Sequence, residues 1–443
     1  MKKGCITSLI ILFMIEVRAR THNGVRGFDR DGKIQPHILE ESTVKKTQSE
    51  VDRGTKRVIV KYSTNHGKEA ALSRASNVYY HFEKQKSIVA TLDPESVESL
   101  RALQSHVIAV DEDTSMESNF TVNNRNFYTR GNRHLTQITP YGVPMVQADQ
   151  VVVPNYVYNR KTVCLADTGV LYTHPDLPQS LMTGTNRFST YFDTELYWQF
   201  DVNGHGTCIA GIISANMTNN IGTRGVGAIP LYITRGMNNE GQSMQSDVLG
   251  ALAQCADSGA KIISLSLGGP GMSVAFQQML DYLYDELGIL IFASAGNNGQ
   301  QVATYPAAYE KVVGVGAVNA SAERWFASDW GSWLELMAPG DQVWCTGVEN
   351  GQPTYSLYSG TSMAAPYAAG VAALVWSHFP TCTNTQIRFA LAYTAKDIGP
   401  SGCDIMNGNG IVQAKAAYDF LSAYPCEGAT WGRTVSPIGC DVA

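Results

Sequence analysis

Tyr358-Ser-Gly-Thr-Ser-Met-Ala-Ala-Pro-Tyr367 is followed by small and apolar residues as far as Trp376. This composition predicts a helix that is buried on all sides. Pro366 suits the first turn of such a helix, where a missing N–H costs little. Ser362, at the helix N-terminus, would lie beside unpaired backbone N–H groups and a dipole that favours negative charge. These properties suit a nucleophile, although a serine that only caps a core helix has the same local sequence.

Length and composition limit the classes of protein to consider. The chain has 443 residues, of which 44% are hydrophobic and 16% charged, and its formal net charge is −6. This length predicts two or three domains, one of them large enough to bury a sizeable core. Because there is no basic excess, we expect neither nucleic acid nor a membrane as a partner. The composition is typical of a compact globular enzyme.

The N-terminus has the pattern of a secretory signal peptide. The basic start Met1-Lys-Lys3 precedes a mostly apolar stretch from Ile6 to Ile15, and Val17-Arg-Ala19 supplies small residues for a signal peptidase. The apolar stretch is too short to span a bilayer. We therefore expect residues 1–19 to be removed and the protein to be secreted, with a short membrane anchor as the alternative.

Cysteine usage agrees with secretion. Outside the predicted leader, eight cysteines remain, an even number that is compatible with four disulfide bonds. Loop length favours Cys382–Cys403 and Cys426–Cys440 as local pairs. Cys164 and Cys208 could form a disulfide or remain two buried thiols. Acceptor sequences for N-glycosylation occur at Asn119, Asn216 and Asn319.

A small domain is predicted at residues 55–113, after a polar linker at residues 20–54. Three strand-like runs and two helical patterns give roughly the order β-α-β-β-α-β, which is typical of a ferredoxin-like α+β fold. Residues 114–133 form a polar connector in which proteolysis is expected to be easy. The strand-like runs are Val58–Tyr62, Ser87–Thr91 and His106–Val110, and the helical patterns are Glu69–Ser76 and Asp93–Leu100.

Residues 134–421 have the pattern of an α/β domain. Short apolar runs indicate parallel strands buried on both faces, and helical patterns lie between them. This alternation predicts a doubly wound parallel sheet. Sites form at the carboxyl ends of such strands, and Asp167 and Asn297 lie just beyond two of them. A Cys-containing tail follows at residues 422–443. The strand-like runs are Lys161–Ala166, Lys261–Ser266, Ile289–Ala293 and Val312–Ala317, and the helical patterns are Ser246–Ser258, Ser273–Leu287 and Gly410–Tyr418.

Three short motifs occur in the order Asp, His, Ser. Asp167-Thr-Gly-Val170 ends a predicted strand, Asn203-Gly-His205-Gly-Thr207 begins an apolar helical stretch, and Gly360-Thr-Ser362-Met-Ala-Ala-Pro366 is the serine motif. Singly, a strand-end Asp is usually a turn former, and a His between glycines is usually a loop residue. Together they resemble the catalytic triad of the subtilisin-like serine proteases, whose order differs from those of chymotrypsin and the α/β-hydrolases.

The resemblance covers about residues 137–420 and implies a role for each motif. It implies that Ser362 is the nucleophile, His205 the general base and Asp167 the group that orients the imidazole. Ala293-Ser-Ala-Gly-Asn297 resembles the oxyanion segment of the family. The Asn297 amide and the Ser362 N–H would therefore bind the negative charge that develops on the substrate.

The resemblance also implies how substrate is held. Ser266, Leu267 and Gly268 resemble the strand that pairs with substrate residues. Thr304 replaces a glycine of bacterial members near the pocket for the residue before the cut, which would make that pocket smaller. The neutral Asn298 lies at its mouth, so no strong Lys or Arg preference is expected. We expect a monomeric endopeptidase with broad, non-basic specificity for protein and peptide substrates.

A structural Ca²⁺ site is implied in the same way. An all-oxygen shell of six ligands suits Ca²⁺, and the alternative is a set of ordinary loop residues. If Gln137 is a ligand it must stay in the mature chain, so the propeptide is expected to be cut between about Arg130 and Thr136. The implied ligands are the side chains of Gln137, Asp176 and Asn219 and the carbonyl groups of Met217, Ile221 and Thr223.

Residues 55–113 resemble the inhibitory propeptide of the family, which assists folding and masks the site until it is removed. The resemblance therefore implies a secreted zymogen that is inhibited by its own propeptide. A processing protease of the kexin type would carry a large β-rich domain after the catalytic one, and about 22 residues follow here. A pseudoprotease that only binds peptides would lack a triad or oxyanion residue, and none is lacking.

Overall fold

A computed structural model describes residues 54–118, 120–123, 136–154, 160–189, 194–429 and 440. The predicted leader, nearly all of the linker, the acceptor Asn119 and most of the expected cleavage range lie outside these residues. The strands are β1 (Lys56–Tyr62), β2 (Asn77–Phe82), β3 (Ser87–Leu92), β4 (Val107–Glu112), β5 (Ser115–Glu117), β6 (Thr121–Asn123), β7 (Val163–Asp167), β8 (Met182–Thr185), β9 (Arg187–Ser189), β10 (Thr194–Leu196), β11 (Leu231–Arg235), β12 (Gln242–Met244), β13 (Ile262–Leu265), β14 (Leu290–Ser294), β15 (Val312–Val318), β16 (Leu334–Pro339), β17 (Val343–Glu349) and β18 (Gln352–Ser359). The helices are α1 (Asn65–Arg74), α2 (Pro94–Arg101), α3 (Gly142–Met145), α4 (His205–Ser214), α5 (Gln245–Asp257), α6 (Val274–Asp281), α7 (Thr361–His378), α8 (Asn384–Tyr393) and α9 (Ala414–Ala423).

The small domain has the predicted β-α-β-β-α-β order. Its four strands form an antiparallel sheet in the order β2-β3-β1-β4. Asp93 caps α2, and Pro94 occupies the first turn, as the sequence predicts. The first helix begins at Asn65, four residues before the predicted Glu69, because the Thr64 side chain accepts the N–H of Gly67 and so starts the helix.

The large domain contains the predicted parallel sheet. Seven strands lie in the order β16-β15-β14-β13-β7-β11-β8, and every neighbouring pair is parallel. Residues in β7, β13, β14 and β15 are buried throughout, as expected for strands that are covered on both faces. Because β7 is flanked by β11 and β13, the loops that leave these strands meet at one edge of the sheet.

Helix α7 is buried from Thr361 to Ser377, which confirms the prediction of a helix surrounded by protein. The predicted place of Pro366 is wrong, because the helix begins at Thr361 and the proline lies inside it. A residue without an N–H at this position cannot bond the carbonyl of Ser362, four residues earlier. That carbonyl instead accepts a hydrogen bond from the Ser266 hydroxyl at 2.7 Å. The Ser266 hydroxyl, which lies just after β13, therefore takes the place of the N–H that Pro366 lacks.

The last predicted helix begins later than expected. Gly410 has a φ of +101°, and Ile411 exchanges two backbone hydrogen bonds with Lys396. Strand-like pairing of Ile411 with Lys396 therefore replaces the first turn of the predicted helix, and α9 starts at Ala414. No helix within the described ranges has both the length and the apolar character needed to cross a membrane.

Four disulfides join the eight cysteines, but the two preferred local pairs are wrong. Helices α8 and α9 pack side by side, with Phe389 and Phe420 in ring contact. This packing brings Cys382, before α8, next to Cys426, after α9. Cys164 and Cys208 do not bond to each other and are not free thiols. The observed pairs are Cys164–Cys255, Cys208–Cys345, Cys382–Cys426 and Cys403–Cys440.

Candidate active site

The three motifs converge at the carboxyl edge of the sheet. Strand β7 ends at Asp167 and α4 begins at His205, and both side chains are buried. The His205 Nδ1 lies 2.7 Å from the Asp167 Oδ1. Gly206 allows this approach, since a side chain there would collide with the carbonyl of Gly169. Among the described residues, the His205 Nε2 has no hydrogen-bond partner. One nitrogen of the imidazole is thus fixed by a carboxylate, and the other is available to exchange a proton.

A second buried carboxylate, Asp201, was not singled out in the sequence. Its oxygens accept hydrogen bonds from the Thr168 hydroxyl at 3.0 Å, the Gly204 N–H at 2.9 Å, and the Thr207 N–H and hydroxyl at 2.9 and 2.6 Å. Burial raises the pKa of Asp201. Asp201 fastens the start of α4 to the residue after Asp167. Its position before a helix N-terminus is the signal that could have identified it.

Ser362 is the second residue of α7 and is buried at its N-terminus. Its Oγ donates to the Ser266 carbonyl at 3.2 Å, and the Ser266 hydroxyl donates to the Ser362 carbonyl at 2.7 Å. The Ser266 hydroxyl therefore holds the serine motif, and the expected pairing of Ser266 with substrate, which concerns its backbone, stays a prediction. A hydroxyl at a helix N-terminus, on the same sheet edge as an imidazole, can act as a nucleophile.

Asn297 lies beside the same helix end. Its Oδ1 accepts two hydrogen bonds from Thr361, one from the backbone N–H and one from the hydroxyl, each at 2.8 Å. Because Thr361 holds the oxygen of the Asn297 amide, the amide nitrogen is a donor in a fixed position at the cavity that Ser362 also lines. Such a donor can stabilise an oxyanion.

A cavity of about 350 Å³ adjoins Ser362 and is lined by Gly268, Asn297 and Thr304, among others. The Thr304 methyl lies close to Gly268, since a Cβ on Gly268 would come within 2.7 Å of it. Asn298 also lines the cavity, and its amide donates to a carboxylate of Asp329 at 2.9 Å. The buried Asp329, which the sequence did not reveal, is satisfied by this amide and by backbone N–H groups.

Four of the six expected calcium ligands are brought together. The Gln137 Nε2 faces three oxygens, namely the Asn216 carbonyl, the Asn219 Oδ1 at 3.3 Å and the Thr223 carbonyl at 3.0 Å. Asp176 accepts hydrogen bonds from the Asn219 amide and the Thr223 N–H, both at 2.8 Å.

The remaining two expected ligands are not placed in this group. The backbone carbonyl that faces Gln137 belongs to Asn216 rather than to Met217, and the N–H of Ile221 donates to the Asn219 Oδ1. Among the described residues, no three His, Cys, Asp or Glu side chains cluster as metal ligands. The oxygens around the Gln137 amide are nevertheless the donor type that Ca²⁺ takes, and an amide turned end for end would add a fourth.

The segment that follows the small domain enters this site as β5. Strand β5 pairs antiparallel with β12, and Glu117 and Gly268 exchange backbone hydrogen bonds of 2.9 and 3.0 Å. The end of the small domain also contacts the large domain. The Asp111 carboxylate accepts the N–H of Val274 at 2.8 Å, at the start of α6. Asp113 accepts the N–H of Ser246 at 2.9 Å, in the first turn of α5. Carboxylates of the small domain therefore lie at the N-termini of two helices of the large one.

Comparison with known proteins agrees with this arrangement. A sequence model of the subtilase family matches residues 159–410. Subtilisin DY of Bacillus licheniformis is 37% identical over 286 residues, which cover 63% of this chain and 99% of that protein. Subtilisin E of Bacillus subtilis (strain 168) is 31% identical over 369 residues, which cover 82% of this chain and 89% of that protein.

Two solved structures resemble the fold. The psychrophilic subtilisin-like protease Apa1 from Pseudoalteromonas sp. AS-11 matches with a TM-score of 0.58 and 23% identity over 66% of this chain and all of that one. Fervidolysin from Fervidobacterium pennivorans matches with a TM-score of 0.68 and 24% identity over 82% of this chain and 61% of that one. At these identities the two structures support the fold alone. The family match and the sequence relatives together establish that the chain is a serine endopeptidase of the subtilase family.

Proposed function

We propose that the protein is a secreted endopeptidase, made as a zymogen, that cleaves peptide bonds through Ser362, His205 and Asp167. The observation that carries the proposal is the buried 2.7 Å contact between the His205 Nδ1 and the Asp167 carboxylate, with Nε2 left without a partner in the described part of the chain. Ser362 attacks the scissile carbonyl while His205 takes its proton and later gives it to the leaving amine. Asp167 holds the imidazole tautomer and stabilises the imidazolium.

The tetrahedral intermediate carries a negative oxygen, for which the site has two donors. The proposed donors are the Asn297 amide and the Ser362 backbone N–H. Support comes from Thr361, which fixes the oxygen end of the Asn297 amide through two 2.8 Å hydrogen bonds and so orients its nitrogen end before substrate arrives. Because the donors are held in advance, they need not reorganise during the reaction.

Substrate is proposed to lie as an extended strand along Ser266, Leu267 and Gly268, with the residue before the cut in the cavity beside Ser362. Thr304 narrows this cavity, which favours a small or medium side chain there. Asp329, which contacts Asn298 of the cavity lining, already accepts the Asn298 amide and two backbone N–H groups. Because these donors already bind the Asp329 carboxylate, it would add little affinity for a basic substrate side chain. We therefore propose broad, non-basic specificity.

Residues 55–113 are proposed to inhibit the enzyme until they are removed. Asp111 and Asp113 lie at the N-termini of α6 and α5, and β5 occupies the groove between β12 and Gly268, where substrate would pair. Secretion is proposed from the leader-like residues 1–19, and the four disulfides agree with an oxidising compartment.

A structural Ca²⁺ ion is proposed at the loop that contains Asn219. Gln137, Asp176 and Asn219 would hold it with the carbonyl oxygens of Asn216 and Thr223, and the ion would fix the loop after α4. If the site binds Ca²⁺, a chelator should lower the melting temperature, and added Ca²⁺ should restore it. An unchanged melting temperature in excess chelator would rule the ion out.

A covalent label tests the catalytic proposal directly. The secreted protein is treated with a serine-directed fluorophosphonate, and the modified residue is identified by mass spectrometry. We expect the label on Ser362, loss of peptidase activity in proportion to labelling, and neither label nor activity in Ser362→Ala. Undiminished peptide hydrolysis by Ser362→Ala would reject the assignment.

A further inference from the structure

A buried arginine lies at the same edge of the sheet as Asp167. Arg235 ends β11 and is the parallel partner of Asp167, the last residue of β7. The N–H groups of Gly236 and Met237 donate to the Asp167 carbonyl at 3.0 and 3.3 Å. Only 5% of Arg235 is exposed. Because neighbouring strands lie about 4.8 Å apart, the two residues leave the sheet side by side.

The Arg235 side chain packs against the turn that follows Asp167. Gly169 in this turn has a φ of +104°, and a Cβ there would lie 3.1 Å from the Arg235 Cδ and 3.3 Å from its Cγ. Both the backbone conformation and the close contact favour glycine at this position. The arginine side chain therefore runs along the Asp167 motif inside the protein.

The guanidinium group uses only part of its capacity for hydrogen bonds. Its Nη2 donates to the Asn239 Oδ1 at 2.8 Å, whereas its Nε is buried and has no partner among the described residues. The Asn239 carbonyl accepts the Asn203 amide at 3.0 Å, and the Asn203 Oδ1 accepts the N–H of His205 at 3.2 Å. The loop that holds the guanidinium is thus bonded to the segment that carries the imidazole.

Asp167 and Asp201 are two buried carboxylates close to this guanidinium. In the described part of the chain, Asp167 makes its ionic contact with His205, and Asp201 is bonded by hydroxyl and backbone N–H groups. Burial raises the pKa of Asp201, and the charge of Asp167 adds to this effect. Burial lowers the pKa of Arg235, an effect that the charges of Asp201 and Asp167 oppose. Arg235 is therefore a positive charge that offsets two buried negative ones.

Resting on the proposed function, we infer that Arg235 is a positioning residue that sets the pH range in which His205 acts as the base. Asp167 and Asp201 favour the imidazolium, and the positive charge of Arg235 disfavours it. The imidazole therefore stays neutral, and able to take the proton of Ser362, in more acidic solution than the two carboxylates alone would allow.

Further charged or titratable groups surround this site on β9, on β18 and in the loop after β11. Glu240 acts on the Arg235 guanidinium, and Tyr358 is affected by the charge of Asp201. Burial raises the pKa of Tyr358 to about 12, so this phenol stays neutral near neutral pH. Arg187 binds the Arg235 carbonyl, but its own charge is paired with a carboxylate of α5. None of these three groups supplies the positive charge that Arg235 places beside Asp167.

The test is the pH dependence of kcat/KM for the mature enzyme, measured with a blocked peptide that has no ionisable side chain. This parameter reports on the groups that titrate in the free enzyme. Arg235→Gln leaves the two carboxylates unopposed, so a higher pH is needed to remove the proton from the imidazolium. We expect the acid limb of the profile to move up by about 0.5–1 pH unit. The plateau at higher pH should change by less than about threefold, because the geometry of the site is kept.

Two further variants of arginines separate charge from structure. Arg235→Lys keeps the positive charge, so its acid limb should lie close to that of the unaltered enzyme. Arg160→Gln is the matched control. Arg160 is a half-buried arginine that binds the carbonyls of Pro154 and Ala228, and it precedes β7 at the opposite edge of the sheet. Its loss should leave the acid limb in place.

An exposed position gives a measurement that does not depend on how well Arg235→Gln folds. Asn239→Asp keeps the shape of the side chain that accepts the Arg235 Nη2 and adds a negative charge beside the guanidinium. The acid limb should move in the same direction, by about 0.2–0.5 pH unit, because solvent screens a charge at this position.

The outcomes distinguish the inference from the proposed function. An acid limb that stays in place in Arg235→Gln or in Asn239→Asp would overturn the inference, as would a lowered plateau without a shift. So would an Arg235→Lys profile that is displaced as far as that of Arg235→Gln. The proposed function is tested by the rate at which a fluorophosphonate labels Ser362 in the unaltered enzyme. A labelling rate that does not change between about pH 5 and 8 would contradict the role of His205 itself.

Discussion

The small domain and helix α7 are held in place by different kinds of contact. The small domain has its own apolar core and meets the large domain partly through charged groups, with Asp111 and Asp113 at the N-termini of two helices. Helix α7 is buried from Thr361 to Ser377 among helices and strands of a single core. Apolar contacts also join the two domains, since Ile59 and Val89 belong to one buried cluster with residues of α5 and α6. Because that cluster is separate from the core around α7, the small domain can leave without opening the core. A helix surrounded by it cannot move, so the residues that it carries keep their geometry.

The largest effect is expected for Asn297→Ala, which changes a residue that is held by the buried start of α7. The substitution removes a donor that Thr361 holds in place, and kcat should fall by about 10²–10³ with little change in KM. Asn319→Ala, at an exposed turn, is the matched control and should retain normal kinetics. A loss that appears mainly in KM would show that Asn297 binds substrate rather than the transition state.

The interface of the small domain is tested by Asp113→Ala. The Asp113 carboxylate accepts hydrogen bonds from Arg57 at 2.7 Å and from Ser246, and burial raises its pKa. Arg57 belongs to the small domain itself, so the bonds that cross between the domains are those from Ser246. Hydrogen bonds to a charged group contribute about 1.5–3 kcal/mol, so the small domain, once cut, should dissociate about 10- to 10²-fold more readily. Dilution of the freshly cut complex, followed by peptidase assay, measures this.

Glu112→Ala is the matched control for that experiment. Glu112 pairs with Lys56 on the surface, where both side chains are more than half exposed. Exposed pairs contribute little, so this variant should behave as the unaltered chain does. If Asp113→Ala and Glu112→Ala had equal effects, the Asp113 carboxylate at the N-terminus of α5 would contribute no more to binding of the small domain than a surface carboxylate does.

The smallest expected effect is that of Ser266→Ala. Losing the 2.7 Å hydrogen bond to the Ser362 carbonyl should lower kcat by about fivefold, in line with about 1 kcal/mol for one hydrogen bond, while backbone pairing with substrate keeps KM. Ser264→Ala, two residues earlier, is the control, because the buried Ser264 hydroxyl has no partner among the described residues. A full loss of stability in Ser266→Ala would assign that hydroxyl to folding rather than to positioning.

The sequence predicted the elements whose causes are local. Apolar runs located β7, β13, β14 and β15, and the alternation with helices located the sheet edge where Asp167 lies. It failed where a contact joins distant residues. The partner of Cys382 depends on the packing of α8 against α9, and the bond from Ser266 to Ser362 depends on a proline inside a helix. Neither has a signal within a short window of sequence.

Asp201 shows the same limit inside the active site. Its side chain binds Thr168, Gly204 and Thr207, which belong to two separate motifs that meet only in the folded chain. The motif around His205 could be read because its glycines are close in sequence. The position of Asp201 before a helix N-terminus could have marked it as a cap, but the bond from Thr168 that fastens it to the end of β7 depends on the folded chain.

Two of the disulfides affect how the protease tolerates a cut made by another copy of itself. The loop closed by Cys164–Cys255 overlaps the loop closed by Cys208–Cys345. A single cut anywhere between residues 164 and 345 therefore leaves the two pieces covalently joined. Asp167 and His205 lie inside this overlapping span, and Ser362 follows it without interruption. A molecule nicked once by a neighbour would keep all three residues in one covalent unit, and the broken ends would remain close enough to stay folded.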